Sequence, residues 1–374
     1  MLARQHYATF QRMLEGMDVR VAILTGASKA RERREALAGI ADGSIDLLIG
    51  THALIEDRVQ FSNLGFVVID EQHRFGVEQR ARLWTKNEQP PHILVMTATP
   101  IPRTLAMTLY GDLDVSVIDE LPPGRQPIRT VHYTDAARLR LFGFMRQEIK
   151  KGRQIYVVYP LIKESETMDY KDLQDGYEAI SRDFPLPEYV TTICHGKMKP
   201  EDKEESMRQF KSGEANIMVA TSVIEVGVDV PNATVMVIES AERFGLSQLH
   251  QLRGRVGRGS QQSYCILMSG EKLSKEARLR LEAMCETNDG FRLAELDLKL
   301  RGAGDVNGTL QSGMAFDLKI ANPTLDSQIL TVTREAAAEV LTADPTLTQN
   351  GHEGLRELRK RYSGREEIDF SQIS

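Results

Sequence analysis

The sequence predicts an α/β protein made of two parallel-sheet domains followed by a helical region. Three observations predict it. Short β-branched runs recur, each separated from the next by a longer mixed segment rich in helix-favouring residues. The series is cut in two by the proline- and glycine-rich stretch ELPPGRQPIRT at 120–130. After about residue 272 the runs stop and charged, helix-favouring sequence takes over. Strand and helix alternating in this way mean parallel strands joined by crossover helices, with helices on both faces of each sheet.

The first series places strands at 21–24, 45–49, 66–70 and 92–96, with a helix at 29–41 between the first two. Pro122, Pro123, Gly124 and Pro127 cannot sit inside a helix or a central strand, so 120–130 reads as a linker. The second series places strands at 154–159, 190–194, 217–221, 235–238 and 264–267, with a helix at 203–211. A helical segment follows at 271–286, then the glycine-rich LRGAGDVNGTLQSG, then some sixty residues that look helical and polar. The division expected is therefore 1–122, 123–272 and 273–374.

The chain has 374 residues, ample for two or three domains, and a formal net charge of −6. That charge argues against a broad basic surface gripping duplex DNA non-specifically, though a local basic groove stays compatible with it. No apolar run reaches the roughly 18 residues of a membrane span, and MLARQHYATF lacks the apolar segment of a signal peptide. Cys194, Cys265 and Cys285 form neither a CxxC pair nor a zinc pattern. A reducing, cytoplasmic setting is the simplest reading.

Four stretches carry chemistry. In VVIDEQHRFG, an apolar strand runs into Asp70 and Glu71, then Gln72 and His73. Ligands of open parallel sheets bind at the carboxyl ends of strands. Magnesium takes oxygen ligands and keeps several waters, so one carboxylate can hold it while its neighbour orients or deprotonates a water. Alone, the pair is equally two acids opening a loop. The next strand runs into MTATP, with hydroxyls at Thr97 and Thr99; alone this is an ordinary strand-to-turn signal. ATSVIEVGVDVP follows another apolar strand and carries Gly227 and Asp229, the latter suited to a ribose hydroxyl or to an arginine. QLRGRVGRG fits Q-x-x-G-R-x-x-R, with Gln251, Arg255 and Arg258. On a helix the two arginines would share a face. Their planar forks match phosphate oxygens, and one could serve as an arginine finger.

In this order, spanning 67–258, the four stretches resemble helicase motifs II, III, V and VI of superfamily 2. The finer text narrows the likeness. DEQHRFGVEQR, MTATPIPRTLAMTLYGDLDVSVIDELPPGR and GTHALI resemble the bacterial RecG branch-migration helicases. GFRLAELDLKLRGAGDVNGTLQSG, at 290–313, is similar to that family's translocation motif, with Ala303 where the family commonly has proline. The resemblance implies two RecA-like motor domains and a helical hairpin after them, ATP and Mg2+ as cofactors, and branched or duplex DNA as partner. It implies a monomer, with single-strand-binding protein as a protein partner. Residue by residue, it implies that Asp70 holds magnesium and Glu71 activates water. Gln72, His73, Thr97 and Thr99 would link nucleotide to the second motor domain. Gly227, Asp229 and Gln251 would serve the nucleotide, and Arg255 and Arg258 its γ-phosphate, Arg258 as the finger. Thr51 and His52, then His195 and Gly196 in CHGKM, would face DNA, and Arg301 and Gln311 would act in the translocation motif.

One part of such a motor is not found. No G-x-x-x-x-G-K-[ST] occurs in the sequence. That loop supplies backbone donors, a lysine and a magnesium-binding hydroxyl. The expectation is a first motor domain truncated at its N-terminus, lacking loop and wedge domain, with weak ATP hydrolysis on its own. Two alternatives remain at this stage. The transcription-repair coupling translocases share the translocation motif, although DEQHRFG favours RecG. An inactive nucleic-acid-binding remnant would also lack the loop.

Overall fold

The computed structural model describes residues 2–56, 58–71, 89–98, 114–160, 166–221, 230–301 and 327–363. The chain divides into two compact units. One comprises Asp119–Leu300 with the first six residues; the other comprises Tyr7–Ile118 and Arg301–Ser374.

In the Asp119–Leu300 unit, six parallel strands form one sheet: β5 (Arg129–Thr134), β6 (Gln154–Tyr159), β7 (Thr191–Cys194), β8 (Ile217–Thr221), β9 (Ala233–Ile238) and β10 (Tyr264–Ser269). Their order is β5-β10-β9-β6-β8-β7. Helices α3 (Arg138–Lys150), α4 (Glu166–Asp183), α5 (Pro200–Ser212) and α6 (Leu246–Arg253) alternate with them. The central strands are predominantly apolar because both faces are covered. Tyr156, Val158, Met218, Ala220, Met236 and Ile238 face one core. Ile155, Val157, Ile217, Val219, Val235 and Val237 face the other. Alternation along each strand thus feeds two cores at once.

Helix α7 (Lys275–Glu286) starts on Ser274, whose Oγ accepts from the Ala277 amide at 3.1 Å. Its Leu281 and Met284 join the first core, as does Leu293 of α8 (Gly290–Arg301). Sequence and structure differ at β5. The expected linker ran to residue 130, but Arg129 and Thr130 already pair with Tyr264 and Cys265. RTVHYT mixes polar and apolar residues because it lies at the sheet's edge and is only half-buried.

In the other unit, the part of α1 (Leu2–Met13) from Tyr7 onward leads into β1 (Val21–Leu24), and α2 (Ala30–Ala41) into β2 (Leu47–Gly50). β1 and β2 pair in parallel, as do β3 (Phe66–Ile69) and β4 (His92–Val95). Leu24, Ile40 and Val59 form one small core; Ile55 and Ile69 form another. The outer face of the β3–β4 pair is apolar and exposed, with Phe66 at 59%. Two further helices, α9 (Ser327–Ala343) and α10 (Glu353–Ser363), lie beyond the glycine-rich stretch, as the polar helical sequence predicts. Among the described residues, no helix is long and apolar enough to cross a membrane.

Phe210 on α5 is fully buried and stacks at a tilt on Tyr156, centroids 4.7 Å apart. Phe210→Ala is expected to destabilise this unit by about 3–5 kcal/mol, read as a lowered urea midpoint with an unchanged slope.

Candidate functional site

Each element delivers its polar residues where the strand stops. β3 ends at Ile69, and Asp70 and Glu71 follow at once. Asp70 Oδ1 accepts a hydrogen bond from the Glu71 amide at 2.9 Å. Glu71 is buried, and its φ of 53° lies in the left-handed region. A side chain there costs about 1–2 kcal/mol, so the turn is held by its surroundings against local preference. β4 ends level with β3, Ile69 opposite Val95, and exposed Thr97 leaves at the same rim. The donors suit magnesium: two adjacent carboxylates at one strand end, hard oxygen ligands for a hard cation. Among the described residues, no group of three or more His, Cys, Asp or Glu could hold a metal.

Thr51 and His52 occupy the end of β2. Both are exposed, and Thr51 opens a short 3-10 turn (His52–Ile55) anchored by buried Ala53 and Ile55. Gly50 before them is obligatory, because a Cβ there would stand 2.2 Å from the Leu24 carbonyl oxygen. The turn is thus pressed against β1 and presents a hydroxyl and an imidazole outward.

At the end of β7, His195 is half-buried and Gly196 exposed. The Met198 amide donates to the His195 carbonyl at 3.3 Å, closing the turn ahead of α5. Burial, then Lys203 and Lys197, lower the His195 pKa. The charged imidazole is thus disfavoured, and the lysines supply most of the positive charge at this turn.

The arginine motif departs from expectation. Helix α6 stops at Arg253, and Arg255 and Arg258 lie in the turn beyond it, not on one helix face. The glycines are the reason. Gly257 has φ +78°, and a Cβ there would meet Ile128 Cγ1 at 2.9 Å. Buried Val256 pins the turn between two half-buried arginines. Gln251 is half-buried on α6 itself.

Two groups were not singled out from sequence. Arg138 forks onto both carboxylate oxygens of buried Glu239, at 2.8 and 2.9 Å, and reaches Asp135 at 2.6 Å. These partners raise the Arg138 pKa despite its partial burial. The pair borders a cavity of about 390 Å³ at the carboxyl ends of β5, β6, β9 and β10, with Tyr159, Ser240 and Arg243. The only sequence sign was an acid ending the apolar run of β9. The second group is Arg253, 2% exposed. It donates to the carbonyls of Met284 at 3.0 Å and Thr287 at 2.7 Å, to Thr130 Oγ1 at 3.5 Å, and to His250 Nδ1 at 2.9 Å. Its place inside QLRGRVGR hid it beside Arg255 and Arg258, both less buried than it is.

Gln72, His73, Thr99, Gly227, Asp229 and Gln311 lie outside the described residues, and of Arg301 only the backbone, at the end of α8, is described.

Comparison with known proteins agrees with this layout. The DEAD/DEAH box helicase model matches residues 1–108 and the helicase conserved C-terminal domain matches 138–260. The model for ATP-dependent DNA helicase RecG, domain 3, C-terminal, matches 287–374. The ATP-dependent DNA helicase RecG of Synechocystis is 50% identical, over 96% of this chain and 43% of that protein. Its counterpart in Bacillus subtilis is 49% identical, over 92% of this chain and 50% of that protein. A solved RecG bound to a three-way DNA junction is 43% identical, with a TM-score of 0.68 over 88% of this chain and 42% of that one. Fold and motifs together define a superfamily 2 helicase with RecA-like domains. More narrowly, the chain belongs to the RecG family, as the text DEQHRFG implied. It spans about half the length of the curated relatives it matches.

Two outcomes are expected. Glycine at 71 relieves the left-handed strain and alanine does not, so Glu71→Gly should be about 1 kcal/mol more stable than Glu71→Ala. Equal denaturation midpoints would contradict it. Burial, then Arg253, pushes the His250 pKa down from 6.5 to about 4. The unfolded chain therefore takes up the proton first. The His250 contribution is complete above pH 6.5 and is lost as pH falls toward 4. His250→Asn should flatten that part of the stability profile between pH 7.5 and 4.5.

Proposed function

We propose that this chain is the motor part of an ATP-dependent DNA helicase that remodels branched DNA, stalled forks and Holliday junctions among them. The observation carrying this reading is the placement of polar motif residues directly after apolar parallel strands, in the order of a superfamily 2 motor. A relative solved on a three-way DNA junction supports branched DNA as the substrate class.

In this reading Asp70 holds magnesium, which when bound shields phosphate charge, and Glu71 takes a proton from the attacking water. The buried, strained position of Glu71 fixes that carboxylate without a long flexible tether. Arg255 and Arg258, rigidly spaced by Val256 and Gly257, stabilise charge on the γ-phosphate. Gln251, Gly227 and Asp229 serve the nucleotide, while Gln72, His73, Thr97 and Thr99 carry its state to DNA-facing groups. Thr51, His52, His195 and Gly196 meet the DNA backbone, and Arg301 and Gln311 act in the translocation hairpin. Burial and the neighbouring lysines disfavour the charged form of His195, so in this reading it contributes a hydrogen bond to phosphate and the lysines contribute the salt dependence. The corresponding division is 1–122 and 123–272 for the motor domains and 273–374 for the translocation region. A cytoplasmic monomer working beside single-strand-binding protein completes the reading. The RecG-specific text and relatives weigh against a transcription-repair coupling translocase.

Two measurements test it. On the protein as made from its own gene, Glu71→Gln should cut DNA-stimulated ATP hydrolysis by roughly 100-fold or more and leave fork binding by gel shift intact. Retained hydrolysis would remove Glu71 from the chemistry. The 374 residues alone, with no phosphate loop among them, should turn over far below the roughly 10 per second of a typical enzyme. A rate near that value would refute the dependence on that loop.

A further inference from the structure

Arg253 is buried without a carboxylate among its partners in the described residues. A guanidinium stays charged, and taking it out of water is costly unless its donors are all used. Apolar residues fill such positions equally well when packing is the sole requirement. What the guanidinium does here is specific. It leaves α6 between Gln251 and Arg255 and grips the carbonyls of Met284, in the last turn of α7, and of Thr287, just past its end, groups that a helix end leaves without intrahelical partners. Thr287 is also the joint to the next helix. Its Oγ1 accepts from the Asp289 amide at 3.0 Å, and Asp289 Oδ1 accepts from the Phe291 amide at 2.8 Å, opening α8. His250, one turn before Arg253, accepts from it and fixes the guanidinium plane.

We propose that Arg253 is a positioning residue that locks the segment bearing Gln251, Arg255 and Arg258 to the joint between α7 and α8. A shift of the arginine turn is then passed on to α8 instead of being absorbed at a loose helix end. This rests on the motor reading above, because only in a motor does that shift accompany nucleotide turnover. Arg255 and Arg258 touch phosphate in that reading; Arg253 touches only protein.

The test uses Arg253→Met, which fills the volume, and Arg253→Lys, which keeps charge but loses the fork. Two readouts are needed. The first is amide exchange at 289–293, expected to speed up roughly tenfold in the Met variant while β8 and β9 amides stay protected. The second, on the protein as made from its own gene, is the ratio of fork unwinding to ATP hydrolysed. It should fall roughly tenfold in the Met variant with the KM for ATP within about twofold, and Arg253→Lys should restore part of it. Unchanged exchange at 289–293 would overturn the lock. A loosened joint with an unchanged unwinding ratio would leave Arg253 an architectural residue and overturn the coupling. A wild-type protein without DNA-stimulated hydrolysis would overturn the motor reading itself, and the coupling with it, whatever the exchange shows.

Discussion

A parallel sheet covered by helices on both faces can meet a ligand only where its strands end. That constraint organises this chain. The central strands β6, β8, β9 and β10 of the Asp119–Leu300 unit are buried along nearly their whole length and feed two cores, which leaves their ends as the place for chemistry. Thr51, Asp70, Thr97 and His195 each stand within two residues of a strand's last position. Glu239 does the same after β9, and takes a bidentate arginine to survive burial there. The arginine motif stands apart, being delivered by the end of a helix. Its local geometry is correspondingly set by glycines and by a buried valine instead of by sheet hydrogen bonds.

Much of this was legible in the sequence because the physics behind it is local. A short, β-branched apolar run such as IMVA or VMVI, too short for a helix, reads as a strand buried on both faces, and the predicted strands differ from the observed ones by one or two residues at most ends. Asp70 and Glu71 were legible because acids rarely close an apolar strand without cause. β5 was not, since an edge strand carries only half the apolar signal and this one follows prolines. The helix expected under Arg255 and Arg258 does not form, for a reason written in the sequence: Gly254 and Gly257 interrupt it. Arg253 and Arg138 were illegible. Nothing in a sequence separates an arginine that reaches carbonyls inside the protein from one that reaches outward.

Strained backbone falls at two strand ends. Glu71 is a non-glycine residue in left-handed backbone at the end of β3, and Ser240 is another at the end of β9. Both follow apolar strands, and in both the chain must turn sharply over the sheet's rim. Their surroundings over-determine the turn, which is the condition under which such backbone persists. A carboxylate fixed in this way keeps one orientation at little entropic cost, as a water-activating group requires.

The edge strand β5 has a consequence for how the chain comes into being. Among the described residues its one neighbour in the sheet is β10, and Arg129 pairs with Tyr264. A ribosome adding about 5–20 residues per second therefore releases the first strand of this unit many seconds before its partner exists. During that interval RTVHYT must wait without a ladder, and its polar residues keep it soluble while it does. The last strand to emerge is thus the one that closes the sheet, so the unit completes itself only when translation has passed β10.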